Sequence, residues 1–160
     1  MTELRDFMRR VPQCVTVVST FYAGAPHGMT VSSFTSVSLE PPLILVALEK
    51  NTTTCQMILE SKRFAVNLLS QKQSSVSDSF AYLGHHERFT KTRYKIEKNV
   101  YPVLESVIGV LMCVLESAYE AGDHLLLIGR VEEAKICSDE LPLVYVYRQY
   151  YTVKPITESA

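Results

Sequence analysis

Thr30-Val31-Ser32-Ser33-Phe34-Thr35-Ser36-Val37-Ser38 carries a hydroxyl on six of its nine side chains, while Val31, Phe34 and Val37 recur every third residue. A three-residue period fits neither the turn of an α-helix nor the alternation of a flat strand. A bulged edge strand resolves the conflict. It buries Val31, Phe34 and Val37 as anchors and turns hydroxyls and backbone N–H groups toward a planar, acceptor-rich ligand. An ordinary solvent-facing Thr/Ser strand accounts for the same composition, so the flanking sequence has to narrow the choice.

Upstream, Val15-Thr16-Val17-Val18-Ser19-Thr20-Phe21 is dense in β-branched residues and runs into Ala23-Gly24-Ala25-Pro26, a turn signal, so a partner strand near His27 would complete a hairpin. Before it, Leu4, Phe7, Met8 and Val11 recur at helical spacing and stop ahead of Pro12. Downstream, the apolar run Leu43 to Leu48 follows Pro41-Pro42 and suits a strand covered on both faces, in a barrel or at a subunit interface. Asn51 can cap a helix that presents Cys55, Ile58 and Leu59 on one face; Phe64 to Leu69 reads as a strand and Ser74 to Ala81 as a helix. From Tyr82 to Tyr101 the composition turns polar and basic, which predicts a long irregular, functional connection.

Two long strands, Ile108 to Tyr119 and His124 to Lys135, are joined by Glu120-Ala121-Gly122-Asp123; over Ile108 to Leu115 of the first neither face is polar, and both are expected to be buried. Leu143 to Tyr147 supplies a last strand. Strands outnumber short helices without the regular alternation of a parallel α/β sheet. The expected fold is therefore mainly β, a closed antiparallel barrel with helices at its rim.

At 160 residues the chain predicts one domain, residues 1–160, and 47% apolar residues suffice to fill its interior. Sixteen Lys and Arg against 17 Asp and Glu leave a net charge of -1. This excludes the basic footprint of a general nucleic-acid binder or of a polybasic membrane anchor. Cys14, Cys55, Cys113 and Cys137 are widely separated and read as reduced, buried thiols. Charges among the first seven residues and the absence of a long uncharged apolar stretch predict a cytoplasmic protein with no membrane association.

Asn51-Thr52-Thr53-Thr54 brings hydroxyls and free N–H groups together at a helix start, as a phosphate requires, although plain N-capping explains the same residues. Gly122-Asp123-His124 forms a tight turn before an apolar strand and would hold the imidazole at a barrel rim. His85-His86 lacks a third metal ligand and reads as a solvated loop, so no metal site is expected. No glycine-rich phosphate loop and no nucleophile elbow occurs.

Taken together, the stretch from His27-Gly28-Met29-Thr30 through Phe34 to Pro41-Pro42-Leu43 resembles the GMTxxSFxSVSLxPPL signature of the short-chain flavin reductases. Phe64 to Gln73, Ser79-Phe80-Ala81, Gly122-Asp123-His124, Ile128-Gly129-Arg130-Val131 and Pro142-Leu143-Val144-Tyr145 follow in family order, so the resemblance covers about residues 4–152. It implies an antiparallel Greek-key split β-barrel, the FMN-binding split barrel, with a few peripheral helices. It also implies an NAD(P)H-dependent flavin reductase that moves a hydride from nicotinamide C4 to flavin N5 and supplies reduced flavin to a separate flavin-dependent monooxygenase. Alternatives on the same fold are a ferric or metal-chelate reductase with tightly bound flavin and a non-enzymatic flavin carrier.

The resemblance further assigns residues. Thr30, Val31, Ser32, Ser33, Phe34, Ser36 and Val37 would line FMN (or FAD), and Asn51, Thr52, Thr53 and Thr54 would hold its phosphate. Ser79, Phe80, Ala81 and Arg88 would complete the phosphate end. His124 would orient NADH (or NADPH), with Tyr147 and Arg148 of the last strand as neighbours. A homodimer is implied, with each flavin near the interface.

Overall fold

The structure, a computed structural model, describes residues 1–157. Helix α1 (Thr2–Met8) leads into a short strand β1 (Gln13–Cys14) and then into the hairpin of β2 (Thr16–Tyr22) and β3 (Ala25–Val31). The hairpin link is the two residues Ala23 and Gly24, both at positive φ (53° and 78°), the backbone a tight right-twisted hairpin needs. Two residues, Ser32 and Ser33, then connect β3 to β4 (Phe34–Leu39), which pairs with β5 (Pro42–Glu49). Helix α2 (Thr53–Ser61), strand β6 (Arg63–Leu68) and helix α3 (Ser74–Tyr82) follow.

The segment read as irregular contains a 3₁₀ turn at His85–Glu87 and a small hairpin of β7 (Tyr94–Glu97) and β8 (Tyr101–Leu104). Polar composition hid it, because β7 is largely exposed while β8, Tyr101–Leu104, is buried throughout. The two long strands are β9 (Gly109–Ala121) and β10 (His124–Ile136), joined by Gly122 at positive φ and Asp123. The chain closes with β11 (Val144–Val146) and β12 (Gln149–Tyr151).

Seven strands form one antiparallel sheet in the order β3-β2-β6-β9-β10-β5-β4. Its two outer strands, β3 and β4, are neighbours in sequence, joined only by Ser32-Ser33. The sheet therefore curls until its edges meet at a covalent link without a ladder between them: the barrel is split rather than closed, as the family resemblance implies. The β9–β10 hairpin makes this possible by serving two partners. Its Gly109–Val114 half pairs with β6, whereas residues 124–130 of β10 pair with β5. Between the halves lies a register shift at Ile128/Gly129, the local kink that lets one strand turn a barrel corner. Gly129 is required there, since a Cβ would lie 2.6 Å from Cζ of the buried Phe64.

Inside the barrel, Val18, Val46, Leu48, Phe64 and Leu127 pack against Cys55 and Ile58 of α2, which lies across β2, β3 and β6. A second cluster, Val15, Val17, Leu69, Phe80, Leu104 and Leu143, fills the space between the sheet and α3. Strand β2 is consequently buried on both faces. Burial in β9 is concentrated in its first half, the stretch whose two faces are both apolar, because that half pairs with β6 in the middle of the sheet. Strand β5 alternates between buried Ile44, Val46, Leu48 and half-buried Leu43, Leu45, Ala47.

Candidate functional site

The hydroxyl-rich segment spans the split. Val31 is buried and Phe34 packs partly against the barrel core, but Val37 is 52% exposed. The bulge falls between Ser36 and Ser38, so Val37 is the extra residue of β4 and is pushed outward rather than buried as a third anchor. Two hydroxyls fix the backbone: Thr30 Oγ1 donates to Ser77 O at 2.7 Å, and Ser33 Oγ donates to Ala47 O at 2.6 Å. Among the described residues, Ser32 and Ser36 make no side-chain hydrogen bond and remain available to a ligand.

Ser33 ties this segment to the far end of β5. Ala47 N–H donates to Ser33 O, Ala47 pairs with Leu126, and Glu49 pairs with His124. Strand β5 then runs into α2. The cap of α2 is Thr52, not Asn51: Thr52 Oγ1 accepts from Cys55 N–H, and Asn51 is exposed in the preceding turn. The early N–H groups of the helix and its positive dipole end suit an anionic group. Thr54 adds a second observation, for its Oγ1 is buried without a hydrogen-bond partner. The cluster of Ser33, Thr52, Thr53, Thr54 and His124 is thus gathered at one end of β5.

His124 leads β10, and its Nδ1–H donates to Asp123 Oδ1 at 2.6 Å, leaving Nε2 as the ring atom open to a ligand. The hydrogen bond and charge of His124 hold the Asp123 carboxyl below its ordinary range. Lys50 pairs with Glu120 across the same rim and holds that carboxyl low as well. The side chain of His124 is 37% exposed, so the imidazole stands at the rim, as its turn predicted.

Helix α3 lies against β3 through the Thr30–Ser77 contact. Ser79 is half-buried and Ala81 is exposed, but Phe80 is wholly buried and meets Phe89 edge-on. Gly28 permits this packing, since a Cβ there would lie 3.0 Å from Phe89 Cζ and 3.1 Å from Phe80 Cε1. The Phe80 ring is therefore a core group and cannot reach a ligand. Arg88 Nη1 donates to Gly28 O at 2.8 Å and Nε donates to Leu83 O at 3.1 Å, so the guanidinium ties its loop to β3; burial pulls its pKa down.

Tyr147 and Arg148 depart from expectation. They form the link between β11 and β12, not part of a strand, and both stand at positive φ, 53° and 59°. Tyr147 N–H donates to Arg9 O at 2.7 Å. Within one chain they sit beside α1 in a three-stranded sheet, apart from the rim that carries His124.

Sequence reasoning missed two features. Tyr150 OH lies 2.8 Å from Ser77 Oγ and 2.7 Å from Asp78 Oδ1, bracing the helix that holds Thr30, and burial pushes its pKa up to about 12. His85 is half-buried rather than solvated: its Nε2 lies 2.8 Å from His27 Nδ1, and His27 Nε2 lies 3.2 Å from Tyr22 O. Because a carbonyl only accepts, His27 donates from Nε2, and a neutral His27 then accepts at Nδ1 from His85 Nε2–H. Burial pushes both pKa values down. Partners 58 and 73 residues apart leave no local sequence signal. The thiols also divide, with Cys55 and Cys113 buried, Cys14 half-buried and Cys137 exposed.

With this geometry in place, residues 8–154 match the family described as flavin reductase like domain. A probable flavin reductase of Rhizobium meliloti is 40% identical over 80% of this chain and 41% of its own length. The reductase component of an FADH(2)-dependent resorcinol hydroxylase from Rhizobium sp. is 35% identical over 98% of this chain and 89% of its own. Among solved structures, an NADH:FAD oxidoreductase of Streptomyces globisporus in complex with NAD and FAD fragments superposes with a TM-score of 0.91. It is 28% identical, over 98% of this chain and 94% of that one. The chain thus spans less than half the length of one of these relatives and most of the others.

Proposed function

Since the chain belongs to the flavin reductase like family, we propose that it is an NAD(P)H:flavin oxidoreductase whose flavin lies along the split of the barrel. The observation that carries this placement is the convergence of Ser32, Ser33, the start of α2 and His124 at one end of β5. The residues fit the group: free hydroxyls at Ser32 and Ser36 and backbone N–H groups face a heteroaromatic edge, and the helix start with the unpartnered Thr54 hydroxyl faces a phosphate. Bound together, flavin and nicotinamide supply the hydride chemistry. The protein supplies alignment.

In this reading Thr30 and Ser33 position the segment through Ser77 and Ala47, Thr53 and the early N–H groups of α2 hold the phosphate, Thr52, whose hydroxyl donates to Glu49 O, shapes that helix start as its cap, and His124 orients the donor through Nε2. Asp123 fixes the tautomer and orientation of that ring. No side chain has to move a proton, so the absence of a nucleophile elbow from the sequence accords with the reading. Arg88 acts through Gly28 and the loop rather than as a free phosphate ligand.

The reading also takes residues 1–160 as one domain, a homodimer in the cytoplasm, that hands reduced flavin to a separate oxygenase. The half-exposed outer row Leu43, Leu45, Ala47 supports pairing, and no helix among the described residues is long and apolar enough to cross a membrane. The test is anaerobic stopped-flow absorbance with NADH or NADPH against FMN or FAD. Bleaching of many flavins per protein is the expected result; bleaching of a single bound equivalent, or none, overturns the release of reduced flavin.

A further inference from the structure

Between α1 and the β11–β12 link lies a cavity of about 260 Å³, distinct from the split of the barrel. Met8, Tyr145 and Tyr147 line it together with three arginines, Arg5, Arg9 and Arg148. Arg9 is paired with Asp6 at 3.0 Å, but among the described residues neither Arg5 nor Arg148 has an acidic partner. Two uncompensated cations on an aromatic, apolar recess call for a ligand that is both planar and anionic. The volume is below the roughly 300–1,000 Å³ of a complete small-molecule site, so it suits one end of a longer molecule.

The backbone is organised around this recess. Tyr147 and Arg148 occupy the left-handed region, which a two-residue link normally gives to Asn or Gly. Both residues line the cavity, and Tyr147 N–H is clipped to Arg9 O. Gln13 of β1 also lines the cavity, and the next residue, Cys14, reaches Ser32 O through its thiol at 3.7 Å. The recess therefore borders the segment proposed to hold flavin.

We propose that this cavity binds phosphorylated adenosine, with the purine on the Met8 and Tyr147 walls and the phosphate on Arg5 and Arg148. The inference rests on the flavin reductase reading, whose ligands carry that group at one end: FAD through its adenylate, NADH or NADPH through the adenosine phosphate of the donor. A purine stacks on tyrosine or guanidinium faces, which an aliphatic acid does not exploit.

The experiment titrates AMP and 2′,5′-ADP calorimetrically into the full chain and into the Arg5→Ala/Arg148→Gly variant. The expected result is binding to the wild type and a loss of roughly tenfold or more in the variant, as the removal of charge-assisted contacts requires. Arg148→Gly alone is expected to raise the thermal midpoint by roughly 2 °C, because glycine relieves the left-handed backbone, while still weakening the ligand. A group retained only for structure would not show that opposition. Michaelis constants for NADPH and NADH and affinities for FAD and FMN then identify the source. A weakened donor assigns the site to the nicotinamide nucleotide, and weakened FAD with unchanged FMN assigns it to the flavin. Failure of both AMP and 2′,5′-ADP to bind the wild type, or equal binding to the variant, overturns the proposal. The reductase reading is tested separately by bleaching of FMN with NADH or NADPH: if the wild type binds AMP or 2′,5′-ADP but reduces no flavin with either donor, the reductase reading fails and the pocket stands.

Discussion

Asn67→Asp changes one atom type in a sealed network and so gives a calculable response. Asn67 is fully buried in β6; its Nδ2 donates to Val17 O (3.1 Å), Ser19 Oγ (3.2 Å) and Pro102 O (3.3 Å), and its Oδ1 accepts from Leu104 N–H at 3.0 Å. Aspartate has the same shape, so no cavity arises. Its second oxygen, however, faces two carbonyls that cannot donate and a serine that already donates to Pro102 O. The carboxyl is driven to keep its proton, which restores one donated hydrogen bond and leaves a residual cost of about 1 kcal/mol. An acid whose folded pKa is raised binds more protons folded than unfolded, so stability falls as pH rises from the unfolded value of about 3.9 to the folded one, at about 1.4 kcal/mol per unit. With the folded value at or above neutrality, the total loss is about 5 kcal/mol at pH 7 and about 2.5 kcal/mol at pH 5. Urea unfolding followed by circular dichroism, at one protein concentration and both pH values, reads this directly. An equal loss at the two pH values, or a loss below about 1 kcal/mol at pH 7, would refute the reasoning.

Four further outcomes are expected. His124→Ala should raise the NADH Michaelis constant or slow hydride transfer by roughly tenfold while leaving FMN affinity nearly intact; steady-state kinetics with flavin titration checks this, and equal loss of FMN binding would remove His124 from the donor side. Thr52→Ala with Thr54→Ala should cost about 1 kcal/mol through the lost cap and weaken FMN more than riboflavin, with identical losses arguing against a phosphate at α2. Gly129→Ala places a Cβ 2.6 Å from Phe64 Cζ and 3.0 Å from Cys113 Cβ; overpacking of about 1–3 kcal/mol should lower the thermal midpoint by roughly 3–10 °C in a calorimeter scan. The His27–His85 pair, both depressed bases, contributes stability that is present above the unfolded pKa of about 6.5 and lost as pH falls below it. Thermal scans from pH 7.5 to 5.5 should show that loss, and a His27→Asn/His85→Asn variant should flatten it.

The fold was legible where the signal is local. The β2–β3 hairpin announces itself in a β-branched run ending at Ala23-Gly24, and the long β9–β10 pair in two apolar runs around Gly122-Asp123. Contacts across the barrel left weaker traces: β7–β8 was read as irregular because half of it is exposed and polar. In the candidate site, the Thr/Ser segment and the helix start stand out by residue type, yet their division of labour does not. Whether a hydroxyl braces the backbone, as in Thr30 and Ser33, or stays free, as in Ser32, depends on Ser77 and Ala47 far along the chain. Asn51 and Thr52 are equally good caps by composition, and the chain's exit from β5 selects the second. Tyr147-Arg148 looked like strand because both residues favour extended backbone; the two-residue link overrode that preference.

The split leaves β3 and β4 as outermost strands, and an outermost strand is a template on which another molecule's strand can grow. Strand β4 blunts its edge with the Val37 bulge. Strand β3 is shielded differently: α3 leans on it, and the Arg88 guanidinium occupies the Gly28 carbonyl that an intruding backbone N–H would need. Arg88 is thus a guard against aggregation as well as a support of the loop beside the flavin segment, and its removal would compromise solubility before any cofactor is added.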